Sequence, residues 1–148
     1  MFSTDWLMVH GLGISLEWKA WESMASRLKP LGDGLAALVK GLGSIYRDTK
    51  IVVMSEFGRT VHENGNGGTD HGHGNVMWLL GGGIQGGKVY GEWPGLEEEQ
   101  LNEKRDLKVT TDFREAIAPL ITTHLNLADN ALTQVFPSYR VTGNLGIV

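Results

Sequence analysis

Cysteine is absent from the 148 residues, which excludes disulfides, thiolate zinc sites and cysteine nucleophiles and leaves any metal to oxygen and imidazole donors. A concentrated basic face is also missing. The formal charge is −4 with acids and bases interspersed, so the counterion-releasing contacts that hold a nucleic acid have no footing, and no nucleic-acid partner is expected. No apolar run approaches the roughly 20 residues that span a bilayer, so no membrane span is expected either. Met1-Phe2-Ser3-Thr4-Asp5-Trp6 carries an acid where a secretory signal carries lysine or arginine, so no targeting signal is read there and the compartment stays open. Proline is sparse, at four, and 41% of residues are hydrophobic; one globular domain with a core of moderate size fits those figures.

Leu28, Leu31, Leu35, Leu38 and Leu42 recur at steps of three and four, which lines one face of a helix within residues 16–45. Pro30 predicts a kink or a fresh start, dividing that region into two pieces. The run from Lys50 to Ser55 is unbroken in its apolar and β-branched character, and Val76 to Leu80 repeats it. Such runs suit strands covered on both faces, as in the parallel sheet of an α/β protein. Phe113, Ile117, Leu120, Ile121 and Leu125 predict a helix over 111–124 with Asp112 at its N-terminus and a distortion at Pro119. Lys88 to Pro94 reads as a short strand ending in a turn. Glu97-Glu98-Glu99 reads as a solvated helix start, and residues 135–148 as an irregular, loosely attached tail. Trp18, Trp21, Trp78 and Trp93 read as packing aromatics.

Polar groups gather between the two apolar runs. Ser55-Glu56-Phe57-Gly58-Arg59-Thr60 follows the first, and Gly68-Thr69-Asp70-His71-Gly72-His73-Gly74 precedes the second. Carboxylate and imidazole are the donors that bind Zn²⁺, Mn²⁺ or related ions without thiolate, and flanking glycines permit a close backbone approach. The bland alternative is a turn capped by Asp70, with His71 packed in a polar cleft and His73 solvated. Glu56 lies where α/β proteins place ligands, yet it could equally bridge to Arg59 or Arg114. Arg59 could clamp an oxyanion through its planar fork or serve a structural ion pair. Gly81-Gly82-Gly83-Ile84-Gln85-Gly86 matches a dinucleotide fingerprint, but no helix opens after it, so a tight loop with positive φ is expected instead.

From about Ala25 to Tyr139 the chain resembles the C-terminal part of the bacterial family known as domain of unknown function 1501, a branch of the alkaline phosphatase and sulfatase superfamily. The resemblance is carried by Leu31 to Leu42, Met54 to Thr60, Asn66 to Gly72, Leu80 to Val89, Val109-Thr110-Thr111-Asp112-Phe113-Arg114 and Val135-Phe136-Pro137. It implies the C-terminal part of an α/β/α sandwich with a mainly parallel sheet over 25–139, preceded by a divergent segment, 1–24, and followed by an irregular tail, 140–148. It also implies Zn, Mn or Ca held with help from Glu56, Asp70 and His71, catalytic roles for Arg59 and His73, and a small anionic ester as substrate. An extracytoplasmic setting is implied for longer relatives. The superfamily's nucleophile and an early metal-binding aspartate fall in a half that this chain does not match. The family's tryptophan-aspartate-threonine-histidine element is likewise not reproduced before the leucine-rich helix. The resemblance therefore implies a chain incomplete as a catalyst, whose exposed sheet edge invites self-association. The competing expectation is a non-catalytic extracytoplasmic binding or structural module with a retained or vestigial metal-binding loop.

Overall fold

The computed structural model describes residues 18–140 and 143–148. Its first element, α1, runs Trp18–Leu42 as a single helix through Pro30. The expected division does not occur, because the leucine stripe stays in phase on both sides of the proline. Gly43, at φ 53°, ends the helix, since positive φ suits a residue without Cβ. A 3₁₀ turn, Gly43–Asp48, then leads into strand β1, Lys50–Val53.

β1 pairs antiparallel with β4, Trp78–Gly81, placing Ile51 opposite Leu80 and Val52 opposite Leu79. Between them lies a short antiparallel ribbon, β2 (Gly58–Arg59) with β3 (His71–Gly72). Among the described residues there are three α-helices and two two-stranded antiparallel sheets, with no parallel pair. The expected α/β/α sandwich with a mainly parallel sheet is therefore wrong for this chain. A parallel pair needs a long crossover, usually a helix, to bring the chain back to the same end. Residues 54–77 form the ribbon instead, so the chain simply reverses. The apolar runs were a sound signal for strands but silent about direction.

Helix α2, Phe113–Leu125, matches the expected one. The Asp112 carboxylate caps it by accepting from the Arg114 backbone N–H at 2.9 Å, and Asn126 closes it at φ 51°. Helix α3, Asp129–Val135, was not anticipated. Ala118 of α2, Leu132 of α3 and Tyr139 form a small core, with Phe136 packed against it. The Arg114 guanidinium lies 4.6 Å from the Tyr139 ring centroid and pairs with Asp112 rather than with Glu56.

Lys88 to Pro94 forms no strand. The end of the chain is irregular as expected but firmly attached: Ile147 is buried, its carbonyl accepts from Gln85 N–H at 2.7 Å, and Tyr90 Oη reaches Gly146 O at 3.2 Å. Trp78 and Trp93 are exposed rather than packed, and the readings of Trp18 and Trp21 concern side chains outside the description. No helix among the described residues is long and apolar enough to cross a membrane.

Candidate functional site

Residues 54–77 build the site from backbone hydrogen bonds. Beyond the β2–β3 ladder, Thr60 N–H donates to Asp70 O at 3.0 Å, and Asp70 N–H donates to Thr60 Oγ1 at 3.0 Å. Asn64 organises the connecting turn: its Oδ1 accepts from Asn66 and Gly68 N–H, while its Nδ2 donates to Asp70 Oδ1 at 2.9 Å. Arg59 Nη1 donates to Thr69 O at 2.9 Å, leaving the rest of its fork available. Arg59 and His71 are cross-strand partners that share the Phe57 ring. The His71 ring stacks on it at 3.8 Å between centroids, and the Arg59 guanidinium carbon lies 5.3 Å from its centroid.

The segment 102–107 closes over this ribbon. Val61 N–H donates to Arg105 O and Gly74 N–H to Leu107 O, each at 2.9 Å, and Thr60 bridges to Asp106. Gly72 makes the contact possible, because a Cβ there would lie 2.6 Å from Asp106 Cβ. The glycines around the histidines thus admit a neighbouring backbone and a buried carboxylate, whereas the sequence suggested that they bring ligands to an ion.

Asp106 is fully buried. Its Oδ2 accepts from His73 N–H at 2.5 Å and lies 3.0 Å from His73 Nδ1, while Arg105 Nε is 3.6 Å from its Oδ1. Burial pushes this carboxyl up, but hydrogen bonds from the His73 backbone, the His73 ring and Asn102 outweigh it and hold the carboxyl below its ordinary value. An ionised carboxylate can only accept, so Nδ1 carries the proton of this contact and the neutral ring keeps its lone pair on Nε2. Asn102 Nδ2 lies 3.2 Å from Nδ1 and 3.4 Å from Asp106 Oδ1; with Nδ1 protonated, its donation goes to the carboxylate. The His73 side chain is 62% exposed, which leaves the ring accessible from outside.

The residues implied as metal ligands are not brought together. Among the described residues no group of three or more His, Asp or Glu side chains is placed to hold an ion. The Asp70 carboxylate turns to Asn64, the His71 ring lies on Phe57, and Glu56 is exposed with no hydrogen bond or ion pair among the described residues. As they stand, these donors do not fit a metal centre.

The model of the family described as Protein of unknown function (DUF1501) matches residues 19–136. The chain belongs to the DUF1501 family. No curated protein and no solved structure matches it. In this DUF1501 chain the resemblance implied roles for Arg59 and His73, whereas Asn102 and Asp106, the neighbours of His73, gave no signal in the sequence. They lie about thirty residues downstream, and an acid between Arg105 and Leu107 gives no local sign of burial. Only the long-range pairing of 102–107 with the ribbon reveals them.

Proposed function

We propose that this chain supplies one part of the active site of a hydrolase acting on phosphate or sulfate esters, with His73 handling a proton and Arg59 holding the anionic group. The observation that carries this reading is the buried Asp106 carboxylate on His73 Nδ1, which leaves Nε2 as an outward base. In the step envisaged, Nε2 takes a proton as an oxygen nucleophile attacks phosphorus or sulfur. The ester P–O or S–O bond breaks, and the departing alkoxide recovers a proton from the imidazolium. The free donors of Arg59 would face the charge gathering on the non-bridging oxygens. The substrate class follows from the proposed resemblance to the phosphatase and sulfatase superfamily, which rests on the motifs around Glu56 and Asp70 and not on the sheet.

The chain is proposed to be catalytically incomplete alone, with 25–139 as one segment of a larger catalytic unit, 1–24 as a divergent segment and 140–148 as an irregular tail. Apolar side chains exposed on α1 support this incompleteness. Glu56, Asp70 and His71, which the fold does not bring together, could reach a divalent ion only as single donors beside ligands from the rest of that larger unit.

Orthovanadate, which mimics the transferring group, provides the test. Followed by NMR, it is expected to shift the Arg59 guanidinium and His73 ring resonances saturably, and Arg59→Ala should abolish the effect. Turnover of p-nitrophenyl phosphate and p-nitrophenyl sulfate should stay at background. A second reading, a non-catalytic module, is favoured by Asp70 and His71 being engaged within the loop; vanadate that leaves Arg59 and His73 undisturbed would select it.

A further inference from the structure

At the end of the β1–β4 sheet remote from the ribbon, a cleft of about 360 Å³ opens between the 3₁₀ turn, the glycine loop after β4 and the last turn of α2. Its size falls within the range of small-molecule sites. Arg47, Lys50, Thr123 and His124 line it, with Asp48 as its one carboxylate side chain. None of these side chains has a hydrogen-bond or ion-pair partner among the described residues. Val148 completes the lining, so two permanent cations, a hydroxyl and an imidazole face one space together with two carboxylates, that of Asp48 and the α-carboxylate of Val148.

The backbone fixes this arrangement. A Cβ on Gly82 would lie 2.1 Å from Arg47 O, so only glycine lets the loop press against the turn carrying Arg47. Gly83, at φ 75°, would bring a Cβ within 3.4 Å of Lys50 Nζ, and its absence keeps the ammonium uncovered. Gly82 N–H is bound to Tyr46 O at 3.3 Å, whereas Gly83 N–H has no acceptor among the described residues. The last turn of α2 contributes the negative end of its dipole, so attraction for an anion rests on Arg47 and Lys50.

We infer that this cleft binds a phosphorylated small molecule, its phosphoryl oxygens held by Arg47 and Lys50 with Thr123 Oγ1 and Gly83 N–H as neutral donors. Arginine's fork matches phosphate oxygens, and lysine adds a point charge beside it. The site is separate from the His73 loop and does not depend on the hydrolase reading.

The test is titration of the whole chain with inorganic pyrophosphate, monitored by NMR and calorimetry. Saturable binding is expected, with shifts centred on Gly83, Thr123 and His124. Arg47→Gln/Lys50→Gln should weaken it about a hundredfold or more, since two charged hydrogen bonds are lost together, while Arg59→Ala should leave it unchanged. Both cations line an open cleft, so the double variant should keep the wild-type spectrum elsewhere. Unsaturable shifts scattered over the surface, equal affinity in the double variant, or loss in Arg59→Ala alone would each overturn the inference.

Discussion

In the loop around His73, Asp106 has no exposed surface and takes hydrogen bonds from two residues, and three glycines are pressed against neighbouring backbone. In α1, a helix of 25 residues, the leucine stripe buries Leu35 but leaves Leu28, Leu31 and Leu38 each more than 40% exposed. β1 and β4 likewise contain no fully buried residue. The region with the less regular structure is the more tightly specified of the two. Specific polar contacts there do what apolar burial does elsewhere, and polar networks are unforgiving because each lost partner leaves a buried group unsatisfied. The helix, by contrast, has room to spare.

The largest expected effect breaks the tight side. A Cβ on Gly58 would lie 1.7 Å from Gly74 O, so Gly58→Ala should cost about 3 kcal/mol or more in denaturant unfolding; a near-neutral midpoint would show that the loop yields. Next comes Asp106→Asn, with a loss of about 2 kcal/mol near neutral pH from weakened hydrogen bonds to His73. This substitution also tests acid sensitivity. The folded carboxyl lies below its ordinary value, so its contribution is complete above the unfolded value and disappears as pH falls through the lower folded one. Wild type should lose that increment on acidification, and the asparagine variant should show a correspondingly shallower decline.

Smaller effects probe the loose side. Gly34 lies inside α1 with nothing within 4 Å of an added Cβ, so Gly34→Ala should raise stability by roughly 0.5–1 kcal/mol through helix propensity alone. A loss instead would mean that something covers this face. Leu38→Glu should alter monomer stability by no more than about 0.5 kcal/mol. If exposed apolar surface drives self-association, the same change should lower the sedimentation-average mass at high protein concentration; an unchanged mass would remove α1 from that role.

What the sequence revealed follows the same division. Helix α2 and its Asp112 cap were legible because both signals are local: a periodic stripe and an acid at the position just before it. The apolar runs marked β1 and β4, but pairing direction depends on the path of the connection, which composition does not encode. Around the site, Arg59 and His73 stood out as chemically capable side chains. Asp106 and Asn102 did not, because their significance lies in a contact spanning 33 and 29 residues respectively. The metal expectation arose from residue types that the fold then turned toward different neighbours.

The ribbon also has a consequence for how the chain reaches its native state. Asn75 Nδ2 donates to Phe57 O at 2.9 Å, so the two ends of the segment between β1 and β4 are joined before either strand begins. Once that clasp has formed, β1 and β4 meet across a few free residues instead of the whole of 54–77, and the entropy of loop closure is met within the ribbon. Nucleation in the ribbon is the expectation that follows, and folding kinetics check it: substitutions at Gly58 or Gly72 should slow folding, while those at Leu79 or Leu80 should mainly hasten unfolding.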